Sequence, residues 1–165
     1  MASTVRSASR TSFRDVANLI YPKRRPLAIQ FARLSGFSPI ITTSSPHNAD
    51  LLKSFGATHV LDRKLPEAEL VAQVAQIAGG PVELVYDAVS VDATFSLAFA
   101  LTAPGGHAIV VQHPPEGLLE QAKQDGKTVH MTLGFFKPPI NQEIGRTLLE
   151  KLPELLESGD IKVST

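Results

Sequence analysis

The sequence predicts an α/β protein built on a doubly wound, mostly parallel sheet, and three observations carry that prediction. From Pro39 onward, short runs rich in β-branched residues alternate with helical runs. The strand candidates are apolar over most of their length, as strands are when helices cover both faces of a sheet. The 165 residues are 43% hydrophobic and 19% charged, an ordinary folded composition for one domain with a substantial core.

The elements follow in order. PIITT (39–43) is a β-branched strand ending in hydroxyls. PHNADLLKSFG is expected to be a helix with Leu51, Leu52 and Phe55 on one face and Gly56 as its cap. THVLD (58–62) is a second strand, and PEAELVAQVAQIAGG (66–80) is a helix opened by proline and acids and closed by paired glycines. VELVYDAV (82–89) is a third strand. DATFSLAFALT (92–102) is apolar nearly all round, so it reads as a buried helix. PGG (104–106) reads as a turn, HAIVVQ (107–112) as a fourth strand, 116–124 as a short helix and KTVHMTLG (127–134) as a fifth strand. NQEIGRTLLEKLPELLESG (141–159) is a long amphipathic helix containing Pro153, its apolar stripe expected to face the core. No internal repeat is present. Residues 26–165 are therefore taken as one domain, and 1–25 as an atypical basic segment.

That basic segment hides inside a net charge of zero. Arg6, Arg10, Arg14, Lys23, Arg24 and Arg25 face Asp15 alone. The first fourteen residues are rich in Arg, Ser and Thr, which fits either a disordered basic terminus or a mitochondrial targeting segment. The expected compartment is the cytoplasm, with the mitochondrion as the alternative. Zero net charge gives no general pull toward nucleic acid, and no apolar run is long enough to span a bilayer. The absence of Cys excludes disulfides, thiolate metal sites and a cysteine nucleophile.

The chemistry concentrates after the first of these strands. Doubly wound sheets bind ligands at the carboxyl ends of their strands, and an acid at the end of the second strand selects the 2′-hydroxyl of NAD. Here Thr42, Thr43, Ser44 and Ser45 are followed by Pro46, His47 and Asn48. Hydroxyl, imidazole and amide groups can donate to a 2′-phosphate, and no carboxylate opposes it. One reading is an NADP(H) site. The other is a helix N-cap made by Ser45 or Asn48, with the rest exposed.

The stretch AIQFARLSGFSPIITTSSPHNADLLKSFGATHVLDR resembles the nucleotide-binding, Rossmann-type half of fungal medium-chain dehydrogenase/reductases, of the zinc-independent, enoyl reductase-like type. VYDAVS (85–90), APGGHAIVV (103–111) and TLGFF (132–136) match in order and spacing, so the resemblance runs from Ala28 to Lys162. It implies an NADP(H)-dependent oxidoreductase. It implies that Ser45, Pro46, His47 and Asn48 form the 2′-phosphate loop. Arg63 stands where relatives often place a tyrosine against the adenine, and a guanidinium plane can stack similarly. Val89 and Ser90 correspond to the strand end near the middle of the cofactor. Val110 and Val111 border the nicotinamide, and Gly134 and Phe135 line the substrate pocket. No catalytic acid is assigned, and the small-molecule substrate stays unspecified.

The departures are equally specific. Such relatives carry a first strand and a glycine-rich turn before the position of Ala28, whereas this chain has DVANLIYPKRRPL (15–27) and no glycine before Gly36. VANLIY could be a strand filling the central gap. It fits a helix better, with Ser12 and Asp15 at its start and Phe13, Val16, Ala17 and Ile20 on one face, which leaves the sheet without its first, central strand. Lys23, Arg24 and Arg25 either replace the glycine loop at a phosphate or form a solvated junction. The expected protein is a member truncated at both ends, and the second reading of it is a non-catalytic remnant that binds nucleotide weakly or associates with other chains, itself included. His47, His59, His107, His113 and His130 are scattered without metal-ligand spacing, so no metal is expected. Asp87 is expected to organise a turn rather than to catalyse.

Overall fold

The computed structural model describes residues 16–19, 27–132 and 139–163. Strands β1 (Val16–Leu19), β2 (Ile40–Ser44), β3 (His59–Asp62), β4 (Val82–Asp87), β5 (Thr102–Val110) and β6 (Thr128–Met131) form one six-stranded sheet in the order β3-β2-β1-β4-β5-β6. Every neighbouring pair is parallel. Helices α1 (Leu27–Leu34), α2 (Ala49–Ser54), α3 (Glu67–Ala78), α4 (Asp92–Leu101), α5 (Glu116–Gln124) and α6 (Pro139–Glu157) alternate with the strands. This is the doubly wound fold that the sequence predicts.

The expected gap at the centre of the sheet is corrected. Val16–Leu19 is a strand, not a helix, and it pairs on both sides, with Val16 opposite Ile40 and Leu84, and Ala17 opposite Ile41 and Val85. The reason is tertiary. β2 and β4 would each leave a row of backbone donors and acceptors unpaired inside the fold, and that penalty outweighs the helical pattern of a short segment. β1 comes from the stretch set apart as the basic N-terminal segment, so the sheet reaches back past residue 26.

Adjacent residues of β2 point to opposite faces and anchor separate cores. Ile40 packs with Ile29 and Ala32 of α1, Leu52 of α2, and Phe55. Ile41 packs on the other face with Leu70 and Val74 of α3, Leu97, Ala98 and Leu101 of α4, and Val82 and Val85. A third cluster joins Phe95 and Phe99 of α4 to Ala108, Val110 and Ala122. Burial of five residues of α4 matches its apolar circumference. α3 carries Glu67 and Glu69 in its first turn and ends at Gly79, left-handed at φ 81°, as its acids and glycines require.

Three expectations are corrected here. Leu51 is half exposed, so only Leu52 and Phe55 of the predicted face are buried. The apolar side of α6 is split: Ile144 is 69% and Leu149 60% exposed, while Gly145 is buried and Leu148, Leu152 and Leu155 are partly covered. PGG is not a turn between elements but part of β5. Val82 pairs with Thr102 and Leu84 with His107, so Ala103–Gly106 bulge out opposite Glu83. Gly105 is left-handed at φ 78°, and a Cβ on Gly106 would lie 2.9 Å from the Ala103 carbonyl and 3.0 Å from that of Glu83. Gly106→Ala is accordingly expected to cost about 1–3 kcal/mol in urea denaturation. An unchanged midpoint would mean that the bulge has room it does not show.

After α6 the chain returns to α1. Gln30, 1% exposed, donates from Nε2 to the Lys162 carbonyl at 3.1 Å and accepts the Lys162 N–H at Oε1 at 2.7 Å. Ile161 is buried beside this clasp. The Arg33–Asp160 ion pair at 3.6 Å is exposed and adds little.

Candidate functional site

The strand order reverses between β1 and β4, so the crevice at the carboxyl ends of β2, β1 and β4 is where such a fold receives a ligand. The residues at these ends are organised by side-chain hydrogen bonds.

At the end of β2, Thr42, Thr43, Ser44 and Ser45 are all buried. Pro46–Asn48 then form a single 3-10 turn that leads into α2. Neither Ser45 nor Asn48 caps a helix through its side chain, so the capping alternative is not what these residues do. Asn48 Nδ2 instead donates to Ser44 Oγ at 3.1 Å. Arg63, just past β3, donates its backbone N–H to the Ser44 carbonyl at 3.0 Å and its Nε to Ser45 Oγ at 3.2 Å. His47 is exposed on the same turn. Asp62, the acid nearest this cluster in sequence, accepts the Lys64 N–H at 3.0 Å.

At the end of β4, Asp87 is fully buried. Its Oδ1 accepts the N–H groups of Val89 and Ser90, each at 2.9 Å, and its Oδ2 accepts the Thr94 hydroxyl at 2.7 Å. The turn role expected of Asp87 is the role it has. Ser90 is left-handed at φ 57°, rare for a residue with a side chain. Its hydroxyl donates to the Asp87 carbonyl at 3.1 Å and accepts the Val111 N–H at 2.8 Å, joining the ends of β4 and β5.

Between these two ends lies a cavity of about 360 Å³. Leu65, Leu70, Val89, Ala93 and Leu97 give it an apolar lining, and Thr43, Arg63, Lys64, Glu67 and Thr94 supply its polar groups. An apolar slot with a few convergent polar groups suits a flat ring system carrying charge at one end. The structure thus brings Ser45, Asn48 and Arg63 into one cluster and sets Arg63 and Val89 on one cavity. Ser90 and Val111 are joined to each other, and both functions of the Ser90 hydroxyl are engaged within the protein. Val110 is wholly enclosed in the core, with its carbonyl accepting the Thr132 N–H at 2.8 Å. Gly134 and Phe135, and the basic run Lys23–Arg25, lie outside the described residues.

Lys64, Leu65 and Thr94 were not singled out from sequence. Lys64 and Leu65 sit in a polar connection, and only the pairing of β2 with β3 shows that this connection borders the site. Thr94 had a weak signal: it stands three residues into a helix that follows an acid-ended strand.

These features define a dinucleotide-binding fold of the doubly wound class. The chain belongs to the zinc-binding dehydrogenase family, whose model matches residues 26–137. It is 28% identical over 151 residues to a trans-enoyl reductase of Talaromyces wortmannii, covering 82% of this chain and 40% of that protein. It is 31% identical over 134 residues to a probable zinc-binding oxidoreductase, mitochondrial, of Arthroderma benhamiae, covering 79% of this chain and 37% of that one. Among solved structures, Escherichia coli quinone oxidoreductase complexed with NADPH shares the fold, with a TM-score of 0.70 and 24% identity over 93% of this chain and 49% of that chain. The chain thus spans about two fifths of the length of these curated relatives. The chain has no Cys, and among the described residues no three His, Asp or Glu side chains gather as a metal site would require. Also among the described residues, no helix is long and apolar enough to cross a membrane.

Proposed function

We propose that this chain is the NADP(H)-binding part of an oxidoreductase that acts on an activated double bond of a small molecule, as an enoyl reductase does. The observation that carries the cofactor choice is the cluster at the end of β2. Ser45, His47, Asn48 and Arg63 offer hydroxyl, imidazole, amide and guanidinium groups where a carboxylate would select NAD, and Asp62, next to Arg63, bonds to the Lys64 backbone. The name of the Talaromyces relative supports the reaction class, and NADPH in the structurally similar quinone oxidoreductase agrees with the cofactor.

The nicotinamide supplies or accepts the hydride when the cofactor is bound. This chain's residues hold and orient the cofactor. The apolar lining of the cavity excludes water from the adenine, the Ser45–Asn48 turn receives the ribose phosphate, and the Asp87-built loop keeps Val89 at the cavity wall. Only a small-molecule substrate is required as a partner, with no nucleic acid or membrane. For the compartment, the cytoplasm is proposed. The basic N-terminus and the mitochondrial relative support the mitochondrion as the second reading, and a fluorescent fusion at the carboxyl terminus separates the two.

Thermal melts with NADPH, with NADH and with neither test the cofactor. A ligand at about 100 times its Kd stabilises the folded state by about 2.7 kcal/mol. The melting temperature is therefore expected to rise by several degrees with NADPH and by less with NADH at the same concentration. No shift with either, or equal shifts, would overturn the assignment.

A further inference from the structure

We infer that a second, polar cavity at the other end of the sheet binds a phosphate group, carried either by inorganic phosphate or by a phosphate monoester. Neither this cavity nor its ligand depends on the cofactor reading above.

The cavity measures about 300 Å³ and lies where the ends of α1 and α2 meet the segment that follows α6. α1 leads through Gly36 into the start of β2, and α2 leads through Gly56 into the start of β3. The cavity is therefore at the amino ends of the strands, away from the crevice. Pockets for organic molecules are lined mostly by apolar side chains, whereas this one is mainly polar. Arg33, Lys53 and Lys162 face a single carboxylate, Asp160, which leaves two positive charges in excess. Phe55, the one aromatic in the wall, is buried in the cluster around Ile29 and Ile40 and presents no open face to a ring.

The three cations come from distant parts of the chain, and the fold holds two of them in place. Lys162 is clasped at its backbone by both functions of the buried Gln30 side chain. The aliphatic stem of Arg33 lies on Gly56, where a Cβ would fall 2.7 Å from Arg33 Cδ and 3.0 Å from Arg33 Cβ. Nη2 of Arg33 donates to the Asp160 carbonyl at 2.7 Å, which orients the guanidinium plane. The N–H groups on its Nε and Nη1, and the ammonium groups of Lys53 and Lys162, have no partner among the described residues. Asp160 does not neutralise the lysines: its Oδ2 accepts the Ser158 hydroxyl at 2.9 Å, and its Oδ1 stands 3.6 Å from Arg33. A carboxylate ligand would bring one charge and two oxygens. A phosphate dianion brings two charges and acceptors in several directions, which suits one guanidinium edge and two ammonium groups.

The test is proton–nitrogen correlation NMR of the full chain, without dinucleotide, titrated with sodium phosphate, with glycerol phosphate and with sodium chloride at matched ionic strength. The amide resonances of Gly56, Gly159 and Lys162 are expected to shift saturably with a phosphate source. Those of Gly105 and Gly126, bonded to each other at the opposite edge of the sheet, are expected to stay in place. Lys53 and Lys162 are exposed, so their glutamine variants are expected to fold as the wild type does. Lys53→Gln and Lys162→Gln are each expected to weaken binding about fivefold or more. Lys123→Gln, which removes the same charge from exposed α5, is expected to leave it within about twofold. Tighter binding of glycerol phosphate identifies a phosphorylated small molecule as the ligand, and equal or weaker binding identifies free phosphate. Equal shifts with chloride, shifts that never saturate, or lysine variants that bind like the wild type would each overturn the inference, and none of these outcomes bears on NADPH at the crevice.

Discussion

Asp87→Ala is expected to destabilise the protein by about 3–5 kcal/mol. The side chain has no exposure, and removing it leaves the N–H groups of Val89 and Ser90 and the hydroxyl of Thr94 without their acceptor. It also releases the left-handed Ser90, whose hydroxyl joins β4 to β5 through Val111 N–H. Asp87→Asn should cost far less, about 1 kcal/mol. Its amide oxygen can still accept both N–H groups. Its amide nitrogen can donate to Thr94 Oγ1, whose proton then turns to the Val91 carbonyl at 3.1 Å. Urea denaturation separates the two variants. A mild alanine variant would mean that the loop holds itself without the carboxylate. Because Val89 lines the cavity, the alanine variant is also expected to lose the NADPH-dependent rise in melting temperature, even where it is folded.

The two halves of this crevice were not equally legible in the sequence. β2, β3 and β4 announce themselves because each is a short apolar run between clear helix signals, and Gly79 marks the end of α3 as a left-handed cap must. Ser45, His47 and Asn48 were identifiable as residue types suited to a phosphate, and Arg63 as a flat group suited to the adenine. The bond from Arg63 to Ser45 was not, because it spans eighteen residues and exists only once β3 lies beside β2. The PGG stretch misled for a related reason. Two glycines read as a turn, and only the register against β4 shows that they let the strand bulge past Glu83. Leu51 and the outer leucines of α6 carry no local sign that they face outward. Their neighbours Leu52 and Leu148 have the same chemistry, and which of them is covered depends on where the helix meets the sheet.

β1 is the element whose local helical pattern differs most from its place in the fold, as the central strand between β2 and β4, and Ala17→Pro tests it. Proline has no N–H to give the ladder and is excluded from central strands. Ala17 has register partners on both sides, Ile41 and Val85, so whichever neighbour its N–H faces loses a hydrogen bond in the middle of the sheet. The expected cost is at least about 3 kcal/mol, and it should be global rather than local. Backbone amides of β2 and β4 are expected to exchange with solvent far faster in the variant, since both strands lose their common partner. If Val16–Leu19 were a peripheral helix, the proline would unwind that helix and leave exchange in β2 and β4 untouched. A wild-type denaturation midpoint with protected Ile41 and Val85 amides would therefore remove β1 from the sheet. The site depends on the same strand. Asn18 is in register with Thr42, and Leu19 with Asp87. β1 is thus what sets the spacing between the Ser44–Ser45 cluster and the Asp87 loop, and a variant that loosens it should lose NADPH binding at denaturant concentrations where the rest of the fold persists.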